Sequence, residues 1–238
     1  MAGAARGGAR LVVLTEMFAS GFSADTAAIA EPFDGPTVGW MRERAAEHDV
    51  WLVGSVCELP EGTEASWEPT DGTRPSNVAM VVSPQGEVLR YAKRHLFSFA
   101  GEHERIAAGD PTLVVDIDGL RAAVFVCYDL RFAVDFWHLA PTVDAFVVVA
   151  NWPAARRDHW RSLLVARASE NQAWVVGATR VGRGGKLDYA GDSLVVDPLG
   201  VVVADGAGGR ACVLEAVLDP EAVQSVRRRY PFLADRRP

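Results

Sequence analysis

The chain predicts an α/β protein of mixed sheets, each covered by helices on one face. Three observations carry that expectation. Strand-like β-branched runs alternate with segments of helical period. Neighbouring strand runs are joined in places by short Pro/Gly turns, as hairpins are. Apolar residues fill 49% of 238 positions, enough for a substantial core in one large domain.

Composition also excludes partners. A net charge of −7 argues against a nucleic-acid or anionic-membrane surface, and Arg227-Arg228-Arg229 reads as a solvated helix end. Cys57, Cys127 and Cys212 are far apart and lack CxxC spacing, the pattern of a reducing compartment without disulfide framework or zinc. No apolar run reaches the length of a membrane span. Residues 1–10 are an Ala/Gly/Arg-rich tail without the apolar stretch of a signal peptide, so the expected compartment is the cytoplasm.

In chain order, Leu11 to Leu14 reads as a short buried strand, with Glu16 just past its end. Carboxylates at strand ends often line the functional crevice of α/β sheets, although an isolated acid here is more commonly an exposed loop residue. Pro36 to His48 carries Val38, Met41 and Ala45 at helical spacing behind an initial Pro. Val50 to Val56 is the next strand, and Pro60 to Pro75 a polar surface loop. Asn77 to Val82 and Glu87 to Tyr91 flank the turn Ser83-Pro84-Gln85-Gly86 as a hairpin. It delivers Lys93 into an irregular segment, Arg94 to Pro111, of a length that is usually functional or disordered. Strands at Thr112 to Asp116 and Leu120 to Val126 follow. Next come a helix from Leu130 to Ala140, a strand from Ala145 to Ala150, and a helix from Arg156 to Asn171 with Trp160, Leu163, Leu164 and Ala168 on one face. Trp174 to Ala178 is a strand, residues to Gly191 a Gly-rich loop, and Ser193 to Val196, Val201 to Ala204 and Ala211 to Leu218 a last β run before a helix after Pro220.

The chemistry centres on Cys127. A β-branched strand ends abruptly at this thiol, and Tyr128-Asp129-Leu130-Arg131 opens a helix-like turn. A strand-to-helix turn is where backbone N–H groups and a helix dipole favour a thiolate, the geometry of a nucleophile elbow. Taken alone, a Cys after an apolar strand is better read as core. Glu16 and Lys93 change the balance. A thiolate nucleophile needs a base for its proton and a positive group for the oxyanion, and Glu and Lys supply both charges. Histidine is the alternative base, and His95, His103, His138 and His159 are available; spacing does not choose between Glu and His. A metal site from His95, Glu102, His103 and Glu104 fits no helical metal motif.

Several motifs, taken together and in order, resemble the nitrilase superfamily of carbon–nitrogen hydrolases, in its omega-amidase-like branch. They are Leu14-Thr15-Glu16-Met17-Phe18, Tyr91-Ala92-Lys93-Arg94-His95-Leu96-Phe97 with Gly101-Glu102-His103, and Cys127-Tyr128-Asp129-Leu130-Arg131-Phe132. Ala150-Asn151-Trp152-Pro153, His159-Trp160, Ala166 to Gln172, Arg180-Val181-Gly182, Tyr189 to Ser193 and Asp197-Pro198-Leu199-Gly200 continue the match. The resemblance implies an α-β-β-α sandwich of two mixed sheets and a Glu–Lys–Cys triad without metal or organic cofactor. Glu16 is then base and acid, Cys127 the nucleophile, Lys93 the clamp on the oxyanion, and the Tyr128 N–H the second oxyanion donor. Glu102 best matches the second glutamate that relatives often carry, with Glu104 close by. Arg131, one turn past Cys127, can meet a substrate carboxylate or pair with Asp129 or Asp135. Asn151 and Trp152 can wall the pocket or belong to the core, and Arg167 and Glu170 read as ion-pairing or interface residues.

Two departures accompany the match. Thr15 stands where relatives usually have Pro. The family pattern normally begins with a further strand and helix before Leu11, so residues 11–238 are expected to form a shortened hydrolase domain with an exposed edge strand. The expected activity is hydrolysis of the terminal amide of a small ω-amido, α-keto acid to the acid and ammonia, by a homodimer. A nitrilase or N-carbamoyl hydrolase with the same triad is the alternative within enzymes, and a non-catalytic relative is the alternative outside them.

Overall fold

The structure, a computed structural model, describes residues 2–63 and 73–237. Much of the polar loop expected over Pro60 to Pro75 therefore lies outside the described residues. The chain divides into two compact units, one of Met1–Thr112 with Val126–Asp129 and one of Leu113–Phe125 with Leu130–Pro238.

In the first unit, a short helix α1 (Ala2–Arg6) precedes β1 (Leu11–Val13), which forms one edge of a four-stranded sheet. Helix α2 (Pro36–His48) follows, then β2 (Trp51–Glu58), β3 (Ser76–Val82) and β4 (Val88–Ala92), in the order β1-β2-β3-β4. β1 and β2 run parallel, which requires a long crossover, and α2 lies within it. Pro36 opens α2, and Asp49 closes it in the left-handed region at φ 50. Val38, Met41 and Ala45 on its buried side pack with Leu52, Val56, Val78, Met80 and Val82 of the sheet.

The β3–β4 hairpin pairs Val82 with Val88 and Val78 with Ala92. The Lys93 N–H then donates to the Asn77 carbonyl at 2.8 Å, which sets Lys93 opposite Asn77. Because side chains alternate along a strand and pair across it, Ser55, Cys57, Asn77, Tyr91 and Lys93 share the face turned away from α2. The segment after Lys93, expected to be irregular, holds a 3₁₀ turn at Ser98–Ala100 and a short helix α3 (Glu102–Arg105).

The second unit is built on a six-stranded sheet. Strands β5 (Val114–Ile117) and β6 (Leu120–Val126) form a hairpin whose turn residues Asp118 and Gly119 both have positive φ. Helix α4 (Ala133–Leu139) leads to β7 (Ala145–Ala150), and α5 (Arg157–Asn171) to β8 (Trp174–Thr179), parallel to β7. A two-stranded ribbon, β9 (Val181–Gly184) and β10 (Leu187–Ala190), precedes β11 (Leu194–Val196), β12 (Val202–Asp205) and α6 (Pro220–Arg229). The sheet order is β12-β11-β8-β7-β6-β5. Its core includes Phe125, Phe136 and Phe146, with Phe125 and Phe136 stacked at 4.2 Å. Arg157 and Arg161 hold the buried carboxylate of Asp192, and Arg161 also pairs with Asp205, tying α5 to the chain around β11 and β12.

Three sequence expectations are corrected. The helix expected from Leu130 begins only at Ala133, because Cys127–Arg131 is a 3₁₀ turn and Phe132 leaves helical space at φ −100, ψ 87. The Gly-rich loop before Gly191 is mostly the β9–β10 ribbon; its two-residue turn starts at Gly185, whose φ of +58 suits a residue without Cβ. Ala211 to Leu218 belongs to no strand. β-Branched residues favour a pleated, half-buried surface rather than an extended backbone as such, and Val213 and Val217 are largely exposed here.

Gly177 of β8 marks a close helix–sheet approach in this unit's core. A Cβ there would lie 2.5 Å from Leu164 Cδ1 and 2.8 Å from Trp160 Cζ2. Gly177→Ala is therefore expected to lower stability by about 1–3 kcal/mol through overpacking, read as a lower urea midpoint. An unchanged midpoint would mean that α5 moves aside without cost.

Candidate active site

The face shared by Tyr91 and Lys93 carries a buried polar chain. The Lys93 side chain is 1% exposed, and its ammonium lies 2.9 Å from both Glu102 oxygens and 3.3 Å from Glu16 Oε1. Glu16, whose own stretch taken alone read as an exposed loop acid while the motif match made it the base, is equally buried. The chain leaves β1, donates Leu14 N–H to the Val53 carbonyl, and turns at Met17, which takes φ 42. Met17 N–H donates to Ser55 Oγ, Ser55 Oγ–H to Asn77 Oδ1, and Asn77 Nδ2 to Glu16 Oε1 at 2.8 Å. This relay through β2 and β3 orients the carboxylate.

Glu102 is the first residue of α3, and its carboxylate also accepts the Phe97 N–H at 2.6 Å. Glu104 is exposed, so the glutamate beside the lysine is Glu102. Burial works against the charge on Lys93, but Glu16, Glu102 and the nearby Cys127 outweigh it and hold the amine's pKa above that of an ordinary lysine. The site therefore holds a desolvated ammonium paired with two carboxylates.

Cys127 is half-buried at the end of β6 and takes φ 46. A non-glycine residue rarely adopts that region, and sharp turns presenting a nucleophile are one place where it does. The turn is 3₁₀ and short, so the macrodipole expected behind the thiol is replaced by the point charge of Lys93. Tyr128, next on the turn, sets its ring 5.0 Å from that of Phe97. Cys57 differs from Cys127 electrostatically: burial, then the charges of Glu102 and Glu31, push its thiol up to about 12. Cys212 is exposed.

His103, His138 and His159 are exposed, while His95 is half-buried and donates its backbone N–H to Asp129. Among the described residues no group of three or more His, Cys, Asp or Glu is placed to hold a metal ion.

The remaining sequence candidates belong to the second unit. The Arg131 guanidinium lies 5.0 Å over the Trp152 ring, with Nη2 3.1 Å from His159 Nδ1. Trp152 is core-like: its N–H is received by Thr179 Oγ1, its indole N–H by the Arg156 carbonyl, and its ring packs 5.3 Å from Trp160. Asn151 is buried at the end of β7. Arg167 pairs with Glu170 and donates twice to the Leu130 carbonyl, a structural role.

Sequence reasoning missed Ser55, Asn77, Tyr91 and Asp129. For two of them a signal existed. Tyr91 is two residues from Lys93 and so on its face, and the hairpin turn at residues 83–86 fixes Asn77 opposite Lys93.

Chemically, the cluster can hold one proton in transit. One ammonium between two carboxylates leaves a net negative charge, so ionising a nearby thiol without moving its proton to a carboxylate would concentrate buried charge further. Relatives are similar to this chain over nearly its whole length. The family model for carbon-nitrogen hydrolases matches residues 1–228. An omega-amidase of Yersinia enterocolitica is 40% identical over 228 residues, spanning 94% of this chain and 83% of its own. A 2-oxoglutaramate amidase of Bacillus subtilis is 29% identical over 232 residues, 95% and 85% of the two chains. Among solved structures, a CN-hydrolase superfamily protein of Xanthomonas campestris, with an arsenic adduct in its active site, superposes with a TM-score of 0.88 at 36% identity, covering 99% of this chain and 89% of the other. The sequence match and the shared fold together make this chain a member of the carbon-nitrogen hydrolase family.

Proposed function

We propose that the chain is a thiol amidohydrolase that cleaves the terminal amide of a small ω-amido acid, an α-keto dicarboxylic acid monoamide, to the free acid and ammonia. The observation that carries this reading is the buried Lys93 ammonium between Glu16 and Glu102, sensing the charge of an elbow cysteine. The names of the Yersinia and Bacillus relatives support the substrate class.

In the proposed reaction Glu16 takes the thiol proton as Cys127 Sγ attacks the amide carbon. Negative charge moves to the carbonyl oxygen, where Lys93 and the Tyr128 backbone N–H receive it. Glu16 returns the proton to the amide nitrogen, the C–N bond breaks, and ammonia leaves a thioester on Cys127. Water attacks the thioester carbon with Glu16 taking its proton; the C–S bond breaks, the acid departs and the proton returns to sulfur. Glu102 takes no proton in this scheme: it keeps Lys93 charged and in place. Arg131, which ends the turn that Cys127 begins, is proposed to receive the substrate's carboxylate. The separated cysteines fit a cytoplasmic enzyme, and a homodimer is part of this reading.

Cys127→Ala is expected to abolish ammonia release from an ω-amide panel while leaving the melting temperature near that of the wild type. Mass spectrometry of substrate-quenched wild type should place the acyl adduct on Cys127; an adduct on Cys57 or Cys212 would move the nucleophile.

Lys93→Met should depress kcat by about 10²–10³-fold, the usual cost of removing an oxyanion donor, with a smaller change in KM. Normal turnover with a raised KM would recast Lys93 as a substrate-binding cation.

Arg131→Lys keeps the charge but loses the planar fork. It should lower kcat/KM for an anionic ω-amide on the order of 10–100-fold, as expected for a lost charge-assisted contact, and leave a neutral amide of equal length unaffected. Equal effects on both amides would take Arg131 out of substrate recognition.

A further inference from the structure

Asp129 is a fully buried acid to which the reaction above assigns nothing. Its two oxygens are engaged by three donors. Oδ2 accepts the Tyr91 hydroxyl at 2.9 Å and the Val126 N–H at 3.0 Å, and Oδ1 accepts the His95 N–H at 2.9 Å. Tyr91 and His95 bracket Lys93, two residues away on either side, and Val126 immediately precedes Cys127. A single carboxylate thereby joins the strand end that carries the cation to the elbow that carries the thiol. Backbone N–H groups point at both oxygens, so an amide, with one acceptor oxygen, cannot replace it.

We propose that Asp129 and Tyr91 are positioning residues that set the Lys93 ammonium against Cys127, so that the cation is in place when the oxyanion forms. The inference rests on the Glu16–Lys93–Cys127 reading and adds to it the part that aligns two of its members. The groups facing the carboxylate are the Tyr91 phenol from β4, the Lys93 ammonium and the His95 backbone N–H from the segment that follows, and the Val126 N–H at the end of β6. Burial pushes the Asp129 carboxyl up to about 6, against the pull of Lys93 and of the Val126, His95 and Tyr91 hydrogen bonds. The carboxylate is therefore ionised above about pH 6. Below that it takes a proton, accepts more weakly, and the alignment loosens. Removing the Tyr91 donor disfavours the ionised form, so the loosening should begin at higher pH.

The test is kcat and KM across pH 4.5–9 for wild type, Tyr91→Phe, Asp129→Asn and Cys127→Ala, with melting curves for each (a range of about five units brackets the carboxyl). Tyr91→Phe is expected to hold KM within about twofold, lower kcat about 10-fold, and move the acidic limb of kcat upward by roughly one unit, the scale of one hydrogen bond to a charged group. Asp129→Asn should lower kcat by about 10²-fold, the cost of a small misplacement of catalytic groups, again with little change in KM. If Asp129→Asn does not fold, the isosteric Tyr91→Phe still decides. A Tyr91→Phe enzyme with the wild-type kcat and acidic limb overturns the proposal, and so does one whose only change is a lower melting temperature. Turnover that survives Cys127→Ala removes the triad reading and this inference with it. Cys127-dependent turnover with an unmoved Tyr91→Phe profile removes this inference alone.

Discussion

The ammonium of Lys93 is almost completely cut off from water, and an amine so placed ordinarily sheds its proton. It stays charged because two carboxylates meet it from different directions, Glu16 from the end of β1 and Glu102 from α3. Each needs its own scaffold. Glu16 is aimed by Asn77, which stands opposite Lys93 through the β3–β4 register. Glu102 is brought in by the segment that follows β4 and is fastened to Phe97. Breaking a buried ion pair by removing one partner typically costs about 3–5 kcal/mol, because the other charge is left desolvated. The hairpin register, the exit of β1 and the fold of residues 94–105 are thus mutually dependent, with the ammonium as their common point.

The segments that carry Glu16 and Cys127 each turn at a residue with positive φ. Met17 follows Glu16 at φ 42, and Cys127 itself takes φ 46. Such conformations cost about 1–3 kcal/mol each and persist only where surrounding bonds over-determine them. At Met17 the restraint is Ser55, which accepts its N–H from the neighbouring strand. At Cys127 it is Asp129, whose carboxylate takes the N–H of the preceding residue. In each case a short polar side chain compensates a backbone group that the sharp turn withdraws from regular pairing.

Elements whose cause is local were legible in the sequence. Helix α2 is announced by Pro36 and its apolar spacing, and the β3–β4 hairpin by its Pro/Gly turn; both lie where the pattern places them. Cys127, too, is marked by an abrupt change from β-branched to polar residues. What was not legible depends on distant partners. Asp129 looks like any loop acid until Tyr91 and His95, 38 and 34 residues earlier, fold against it. Glu16, from its own stretch alone, looked like a loop acid for the same reason. Ala211 to Leu218 failed in the opposite sense: its β-branched composition was strand-like, yet strand formation needs a ladder partner and a surface to cover. Arg131 was recognised as a cation near the thiol, but its seat over Trp152 required β7 to arrive from further along the chain.

The raised pKa of Cys57 has a consequence for oxidative chemistry. Peroxides and disulfide reagents attack thiolates, and sulfenic acid forms where the anion is accessible. Cys57 sits on the sheet face that also carries Lys93, yet the Glu102 charge that helps keep the lysine protonated also helps keep this thiol protonated. One glutamate therefore bears on both the lysine and this thiol, and favours the protonated form of each. Buried and held protonated, Cys57 should resist an oxidant, so that oxidation elsewhere in this unit need not be accompanied by loss of its core.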